Sequence, residues 1–424
     1  MHFFGYKGKK FYAEGVSVER IAKEAGTPVF IYSHRTLARH FKAFESAFKK
    51  VPHLVCYSVK ANSNTAVLKT FASMGGGFDI VSAGELFRVI RAGGDPSKTV
   101  FSGVGKRDEE IEYALKTGIL MLNSESPQEL RAIDRIAGRL KKKAGVAIRV
   151  NPDVDPLTHP YISTGLKENK FGVETEEAVR EYVYAKEGLE NLDLIGVDCH
   201  IGSQITELSP FTDALKKTRA LIGVLRKEGI AVRYLNMGGG LGITYREENP
   251  PHPSAYGEEV LRQTRGLDVT LIFEPGRNIV GNAGVLATRV IYTKKGSRKN
   301  FIITDAAMND LPRPSLYGSY HAIKPVVVSG PADVVADVVG PICESGDFLA
   351  KGRELPAVKP GDLLAIMSAG AYCFSMSSNY NSRPRPAEVM VKGSEFFVIR
   401  KRETMEDLVR GEVLPRRLFP GKGD

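Results

Sequence analysis

The stretch Val55-Cys56-Tyr57-Ser58-Val59-Lys60-Ala61-Asn62 decides the fold that we predict for the whole chain. Its first residues form an apolar, partly β-branched run, and small polar residues follow directly after the lysine. This pattern predicts a buried strand that ends near Lys60. If that strand belongs to a parallel barrel, Lys60 lies at its carboxyl end, on the rim where such barrels keep their chemistry.

Short apolar runs and helix-like segments alternate from this stretch onward. Buried parallel strands are short continuous apolar runs, and their alternation with helices indicates βα units. The count of such runs favours a (β/α)8 barrel, the TIM-barrel architecture. A doubly wound open sheet is the alternative, but it usually has fewer strands. The runs cover residues 54–59, 78–81, 99–102, 120–122, 146–150, 194–199, 234–237 and 269–273.

The character of the sequence changes after about residue 281, where short β-rich segments alternate with turn signals such as Lys359-Pro360-Gly361-Asp362. This pattern predicts a second, mostly antiparallel β domain. We expect the barrel to cover residues 31–280, and the β domain to combine residues 1–30 with residues 281–424. The last residues predict a helix followed by a fraying tail.

Composition and charge exclude several classes of function. The net charge of +10 comes from basic residues that are interspersed with acidic ones, which favours solvated helix faces over a nucleic-acid surface. No apolar run approaches the ~18–20 residues that cross a bilayer, so we expect no membrane partner. The cysteines fit no metal spacing, which predicts reduced thiols in a cytoplasmic protein without a metal site. They are Cys56, Cys199, Cys343 and Cys373.

Two interpretations of Lys60 are open from its local sequence. An amine removed from water loses its proton more easily and attacks carbonyl groups, which suggests a Schiff-base lysine with pyridoxal phosphate as its commonest partner. Alternatively, the lysine ends a strand and extends its amine to water. For a lone lysine, the second interpretation is the commoner one.

Polar residues at the other strand ends favour the first interpretation, because parallel strand ends converge on one rim. The backbone of residues 238–240 carries no Cβ and can close on a phosphate, and Ser203 adds a hydroxyl. The His200 imidazole can lie flat against a pyridine ring. Glu274 would keep the ring nitrogen protonated, which makes the ring an electron sink when CO₂ departs. An arginine in that place would favour racemisation.

These motifs resemble the fold-type III pyridoxal-phosphate decarboxylases, which are relatives of alanine racemase with a barrel and a β domain. Two further motifs resemble those of one branch, the diaminopimelate decarboxylases, and the similarity extends from about residue 28 to about residue 385. The general motifs are Tyr57-Ser58-Val59-Lys60-Ala61-Asn62, Phe78-Asp79-Ile80-Val81-Ser82, His200-Ile201-Gly202-Ser203, Gly238-Gly239-Gly240 and Glu274-Pro275-Gly276-Arg277. The branch motifs are His159-Pro160-Tyr161-Ile162-Ser163-Thr164-Gly165 before Lys170-Phe171-Gly172, and Cys343-Glu344-Ser345-Gly346-Asp347 with Ala369-Gly370-Ala371-Tyr372.

The resemblance implies a pyridoxal 5'-phosphate enzyme that decarboxylates meso-diaminopimelate to L-lysine. It implies Lys60, His200 and the proton donor Cys343 as catalytic residues. It also implies a homodimer with shared sites, because Cys343 and Glu344 would come from the neighbouring subunit. The implied cofactor residues are Lys60, Asp79, Arg149, His200, Ser203, Gly239, Gly240, Glu274, Gly276, Arg277 and Tyr372. The implied substrate residues are Arg277, Arg313, Tyr317, Glu344 and Tyr372.

Other functions remain as alternatives at this point. Decarboxylases of ornithine, arginine or carboxynorspermidine would share the cofactor residues, but a diamine-forming enzyme has no distal carboxylate that needs Arg313. A catalytically dead regulatory protein would have lost Lys60 or Cys343, and both are present. A cofactor-carrier protein of this type would be a single barrel without the β domain.

Overall fold

The computed structural model of the chain describes residues 2–156, 158–159, 162, 164, 169–328, 330–415 and 418. Parts of the motif between His159 and Gly165 lie outside the described residues, as do residues 416–417 and 419–424 of the predicted terminal helix and tail. The last helix that the structure describes is short and lies earlier, at Met405–Leu408.

The chain begins with a small antiparallel sheet and a helix. Strands β1 (Phe4–Lys7), β2 (Lys10–Ala13) and β3 (Val16–Ser17) pair in sequence order. Helix α1 (Val18–Ala25) follows directly, and the Ser17 hydroxyl accepts a hydrogen bond from the backbone N–H of Arg20 as its N-cap. Strand β4 (Val29–Ser33) leads out of this segment, and helix α2 (His34–Ser46) follows it.

Eight parallel strands then close into a barrel, which confirms the predicted fold and excludes the open doubly wound sheet. The first barrel strand pairs with the second and with the last, and the fourth pairs with the fifth, so the ring has no free edge. The barrel strands are β5 (His53–Ser58), β6 (Gly77–Ile80), β7 (Thr99–Phe101), β8 (Met121–Ser124), β9 (Ala144–Asn151), β11 (Leu192–Asp198), β12 (Tyr234–Asn236) and β13 (Thr270–Phe273). A short strand, β10 (Val173–Glu174), adds to the end of β9.

Helices cover the outside of the barrel because each presents an apolar face to the strands. Aromatic side chains dominate one of these contacts, where Phe48 stacks on Phe273 with ring centroids 3.9 Å apart and Tyr256 packs edge-on against both. The covering helices after α2 are α3 (Thr65–Ala72), α4 (Ala83–Arg91), α5 (Asp108–Thr117), α6 (Pro127–Arg139), α7 (Thr175–Gly188), α8 (Ser209–Lys227) and α9 (Pro253–Thr264). A single turn, α10 (Arg277–Val280), follows the last barrel strand.

The second domain is built on a mostly antiparallel sheet, as predicted. Its main path runs β18-β17-β15-β14-β4-β20-β21, and β19 joins β14 to β16. Two neighbouring pairs in it are parallel, β15 with β17 and β4 with β20. The strands are β14 (Gly284–Lys295), β15 (Asn300–Thr304), β16 (Ile323–Pro325), β17 (Ala332–Val339), β18 (Phe348–Pro356), β19 (Leu363–Ile366), β20 (Ala387–Lys392) and β21 (Glu395–Arg400). Helices α11 (Arg313–Tyr317) and α12 (Met405–Leu408) lie between and after them.

Strand β4 ties the start of the chain into this sheet. It pairs with β14 on one side and β20 on the other, so the boundary predicted at residue 31 falls inside a strand of the β domain. Its apolar run resembles a barrel strand, and only pairing distant in sequence assigns it to the other sheet.

Among the described residues, no helix combines the length and the apolar character needed to cross a membrane.

A buried carboxylate connects the two domains beneath the Lys60 segment. Glu388 on β20 is fully buried and accepts hydrogen bonds from the Tyr32 hydroxyl and the Asn64 amide, both at 2.8 Å. The Arg400 guanidinium donates to the same carboxylate at 2.5 Å. One group therefore binds partners from β4, from the loop before α3 and from β21.

We expect Glu388→Ala to lower the free energy of unfolding by about 3 kcal/mol, because it leaves the Arg400 charge and two buried donors without their acceptor. Urea denaturation measures this change. Glu395→Ala on the neighbouring strand is the matched control, since Glu395 is exposed and its loss should cost within about 0.5 kcal/mol. Equal effects of the two substitutions would contradict the role of the buried carboxylate.

Candidate active site

Lys60 lies at the carboxyl end of β5, as the sequence predicts. The strand ends at Ser58, and a single 3-10 turn over Val59–Ala61 directs the lysine into the mouth of the barrel. Its Nζ donates to Asp79 Oδ2 at 2.6 Å. The Ser58 hydroxyl is 2.9 Å from the same oxygen and 2.8 Å from the Glu274 carbonyl, so three neighbouring strand ends are held together.

The expectation that burial makes Lys60 give up its proton is wrong for the chain alone. Burial is the largest single influence and lowers the pKa of Lys60, but the charges of Asp79 and Glu274 and the hydrogen bond to Asp79 together raise it by more, and the net shift is upward. In addition, 34% of the side chain remains accessible from the mouth, so burial alone does not set its charge. Lys60 is therefore an ammonium paired with Asp79, whose second oxygen, Oδ1, is buried without a hydrogen-bond partner among the described residues.

Glu274 follows the last barrel strand and is buried among polar side chains that the sequence analysis did not identify. Its Oε1 accepts a hydrogen bond from the Asn236 amide at 2.6 Å, and Ser102 and Asn123 approach to 3.5 Å. Burial raises the pKa of Glu274 well above its usual value, and the charge of Asp79 adds to the shift. Burial and the neighbouring acid therefore both favour the protonated form of this carboxyl group.

Arg149 is engaged by a carboxylate that was not predicted. Its Nη1 lies 3.0 and 3.1 Å from the two oxygens of Glu125, and both side chains are buried. The Nη2 group also points at the His200 carbonyl, at 3.4 Å. Burial is the largest single influence and opposes the charge of Arg149, but Glu125 and the nearby acids Asp198 and Glu274 together outweigh it and raise the pKa of Arg149. Arg149 thus supports the loop that carries His200.

His200 and the glycine turn after β12 lie against each other. His200 Nδ1 accepts a hydrogen bond from the Gly239 backbone N–H at 3.0 Å, which leaves the ring proton on Nε2. Burial, helped by the charges of Arg149 and Lys60, lowers the pKa of His200 well below its usual value, so the ring is neutral. A Cβ on Gly238 would come within 2.5 Å of this ring, and its φ of +61° also requires glycine.

Ser203 and Arg277 meet on the same rim. The Ser203 hydroxyl accepts hydrogen bonds from Arg277 Nε at 3.3 Å and Nη2 at 3.1 Å. Arg277 Nη1 donates to the Tyr245 hydroxyl at 2.7 Å. Gly276 precedes Arg277 with its Cα close to Ser58 and Ala61, where a Cβ would lie 3.0 and 3.1 Å from their Cβ atoms.

The β domain contributes residues to the other side of the mouth. Tyr372 has a φ of +57°, a sparsely populated conformation, and its N–H donates to the Ala61 carbonyl at 2.8 Å. Its ring centroid lies 4.9 Å from the Arg277 guanidinium carbon. The β-domain segment around Tyr372 thus hydrogen-bonds to the turn that carries Lys60 and helps to fix it.

Arg313 and Tyr317 line a cavity of about 160 Å³ beside Tyr245 and Gln204. Arg313 Nη2 donates to the Ser319 hydroxyl at 3.2 Å. Its Nε is buried without a hydrogen-bond partner among the described residues. The cavity lining therefore includes a buried guanidinium whose hydrogen-bonding capacity is not fully used within the described chain.

Cys343 and Glu344 lie away from this cluster, on the loop between β17 and β18. Both are exposed, the Cys343 N–H donates to Asn381 Oδ1 at 3.0 Å, and Glu344 accepts a hydrogen bond from the Tyr380 hydroxyl. Within the described part of the chain, neither side chain hydrogen-bonds to the Lys60 rim. One chain therefore brings together the predicted cofactor residues but not these two.

The described part of the motif after His159 borders the same mouth. The His159 ring lies 6.0 Å from the Tyr317 ring, and Thr164 Oγ1 donates to the His200 carbonyl at 3.1 Å. Pro160, Tyr161, Ser163 and Gly165 lie outside the described residues.

Sequence reasoning missed Ser58, Asn123, Glu125, Asn236 and Tyr245. Ser58 and Asn236 end barrel strands, Glu125 directly follows one, and Asn123 lies one residue before the end of one, which is the same signal that identified Asp79 and Glu274. Tyr245 has no such signal, because it lies five residues beyond the glycine turn.

Comparisons with known proteins agree with this site. Residues 34–281 match the family described as "Pyridoxal-dependent decarboxylase, pyridoxal binding domain". Over 414 residues the chain is 53% identical to a diaminopimelate decarboxylase from Pseudomonas aeruginosa, covering 98% of this chain and 99% of that protein. The crystal structure of diaminopimelate decarboxylase from Helicobacter pylori complexed with L-lysine is 45% identical, has a TM-score of 0.90, and is matched over 92% of this chain and 98% of that one. The corresponding structure from M. jannaschii in complex with L-lysine is 36% identical, with a TM-score of 0.93 over 98% of each chain.

The chain therefore belongs to the pyridoxal-dependent decarboxylases and, within them, to the diaminopimelate decarboxylase family. The residues present fit the pyridoxal group. The rim offers a reachable amine, a buried carboxyl group with a raised pKa, a neutral imidazole and a turn whose glycines admit no side chain. A Cβ on Gly239, for instance, would lie 2.3 Å from the Glu274 carbonyl.

We expect Asp79→Asn to lower the pKa of Lys60, because burial then acts on the amine without the opposing carboxylate. Competitive acetylation of the cofactor-free protein, followed by peptide mass spectrometry across a pH series, measures the pKa. Asp213→Asn, which removes an exposed carboxylate 3.2 Å from Lys216, should leave Lys60 unchanged. The ion-pair assignment fails if Lys60 titrates alike in the parent and in Asp79→Asn.

Proposed function

We propose that this chain decarboxylates meso-2,6-diaminopimelate to L-lysine and CO₂ with pyridoxal 5'-phosphate, the last step of lysine formation. The observation that carries the proposal is that side chains suited to the cofactor and side chains suited to a dicarboxylate substrate lie on the same rim of the barrel. Lys60 and Glu274 suit the cofactor, and two buried arginines, Arg277 and Arg313, suit an amino acid with a second carboxylate.

The cofactor would be held by residues from both domains. Lys60 would carry it covalently, and Asp79 would keep the amine at the rim until it loses its proton. His200 would lie on the ring, with Arg149 and Glu125 supporting its loop. The phosphate would be bound by Ser203, Gly239, Gly240, Gly276 and Arg277, and Tyr372 would close the site.

Glu274 supports decarboxylation rather than racemisation. When bound, the pyridine ring withdraws electrons from the carbon that loses CO₂. Because burial raises the pKa of Glu274 well above its usual value, its carboxyl group would share a proton with a ring nitrogen and so maintain the positive charge that attracts electrons. An arginine at this position would donate a hydrogen bond but no proton.

The substrate's other end would be recognised by Arg277, Arg313, Tyr317 and Tyr372. The unpartnered Nε of Arg313 and its Nη groups form a planar edge that matches a carboxylate. Ornithine and arginine decarboxylases act on substrates with no distal carboxylate, so a buried arginine here would repel the distal cation of their substrates. This charge favours a dicarboxylate substrate over the alternatives.

We further propose a homodimer with shared sites. Decarboxylation leaves a carbon that must gain a proton, and a thiol can supply it. Cys343 is exposed and, among the described residues, forms no hydrogen bond with the Lys60 rim of its own chain, and Glu344 beside it could bind the distal ammonium. Two-fold symmetry would bring both residues to the neighbouring mouth. The cysteines carry no disulfide, which supports a reducing compartment, so we propose that the protein is cytoplasmic.

We expect Lys60→Ala to lose activity on meso-diaminopimelate by on the order of 10³-fold or more, because the cofactor loses its covalent attachment. Release of CO₂ and formation of L-lysine measure turnover, and circular dichroism checks the fold. Lys69→Ala removes an exposed lysine from the next helix and should keep the parent rate.

A Lys60→Ala protein that turns over at the parent rate would contradict the assignment of Lys60 as the lysine that binds the cofactor covalently. If the parent protein acts on ornithine or arginine but not on meso-diaminopimelate, the proposed substrate is wrong. A parent that binds the cofactor but acts on none of them would support the regulatory alternative.

The shared site predicts complementation between two inactive variants. Equal amounts of Lys60→Ala and Cys343→Ala subunits, exchanged at random, should recover about a quarter of parent activity. Half of the dimers are mixed, and half of their sites contain both intact residues, which follows from two-fold symmetry. Differently tagged chains verify that subunits exchange. If exchange occurs and no activity returns, Cys343 does not act across a subunit boundary.

A further inference from the structure

Tyr245 lies between the two arginines of the proposed substrate site. Its hydroxyl accepts a hydrogen bond from Arg277 Nη1 at 2.7 Å. Its ring centroid lies 5.2 Å from the guanidinium carbon of Arg313 and 5.9 Å from that of Arg277. One neutral side chain therefore contacts both cations, with its oxygen on one and its aromatic ring near the other.

The surroundings hold Tyr245 in place. The side chain is 9% exposed, and its backbone N–H donates to Glu248 Oε2 at 2.9 Å. His321 packs edge-on against the ring with centroids 5.3 Å apart. The His321 ring is itself oriented, since its Nδ1–H donates to the Met367 carbonyl at 2.9 Å.

This arrangement answers an electrostatic requirement. Two buried guanidinium groups facing one cavity repel each other, and the repulsion is stronger away from water. Electron-rich aromatic faces attract cations, and a phenol oxygen accepts a hydrogen bond from one. Among the described residues, the side-chain hydrogen-bond partners of the two arginines are uncharged: Ser203 and Tyr245 for Arg277, and Ser319 for Arg313. A carboxylate there would neutralise the site, whereas the phenol separates the cations and leaves their charge for the ligand.

We propose that Tyr245 is a positioning residue that sets the spacing of Arg277 and Arg313 and thereby favours dicarboxylate ligands over diamines. The inference rests on the proposed function and deepens it, because it assigns selectivity to a residue that need not touch the substrate. Its hydroxyl fixes the head of Arg277, and the loss of that hydroxyl alone should loosen the pair without emptying the space that the ring fills.

A pair of ligands separates this role from simple packing. Pimelate has the carbon chain and both carboxylates of the proposed substrate but no amine, and cadaverine has the amines but no carboxylate. Titration calorimetry on the cofactor-loaded protein measures both affinities. For Tyr245→Phe we expect pimelate to bind about tenfold more weakly, the size of one charge-assisted hydrogen bond, and cadaverine to change less than about twofold.

Kinetics and controls complete the experiment. Tyr245→Phe should raise KM for meso-diaminopimelate about tenfold and change kcat less than about threefold, because the reacting carbon is untouched. Tyr292→Phe removes an exposed hydroxyl from β14 and should alter neither affinity nor KM. Thermal melting of each variant verifies the fold.

Each outcome decides one statement. If the parent binds pimelate and Tyr245→Phe binds it equally well, the positioning role is overturned. If pimelate and cadaverine weaken together, Tyr245 acts by packing, and the inference is also overturned. If the parent itself fails to bind pimelate, the dicarboxylate function falls, and the inference falls with it.

Discussion

Closure of the parallel barrel is the constraint on which the rest of this structure depends. Strand β5 pairs with both β6 and β13, so the ends of the first and last barrel strands become neighbours although more than 200 residues separate them. All strands point the same way, and their carboxyl ends therefore share one rim. Ser58 illustrates the result, because one hydroxyl reaches both the Asp79 carboxylate and the Glu274 backbone.

Several ionisable side chains lie close together on the rim. The charges of its neighbours and its own burial set the pKa of each of these groups. The Asp79 carboxylate, 2.6 Å from the Lys60 amine, helps to raise the pKa of Lys60, whereas burial near the same acid raises the pKa of Glu274. The pKa of Asp198 on β11 is also raised, to about 7, mainly by burial. The positive charge of Arg149 is balanced by Glu125, both of whose carboxylate oxygens lie within hydrogen-bond distance of it. Residues of one chemical type thus differ in charge according to their distance from neighbouring charges and from water.

The β domain contributes side chains to the mouth of the barrel and contacts the residues around Lys60. Tyr372 hydrogen-bonds to the Lys60 turn, Glu388 binds Asn64 next to it, and Arg313 faces the barrel residue Tyr245. These contacts explain why the rim of one domain and the loops of the other form a single mouth. The loop with Cys343 and Glu344 belongs to the same domain, but among the described residues neither side chain hydrogen-bonds to this mouth.

The sequence by itself determined the two-domain plan, because apolar runs of strand length and their alternation with helices are local patterns. It also indicated several of the polar residues that end the barrel strands, and the resemblance of their motifs predicted the cofactor set from Lys60 to Arg277. Only the tertiary structure assigned β4 to the β sheet, because its apolar run does not specify its pairing partners. It likewise decided the charge of Lys60, the Glu125 partner of Arg149, and the place of Tyr245 between two arginines. These properties depend on distances between residues far apart in sequence, and electrostatic energy follows distance and burial rather than position along the chain.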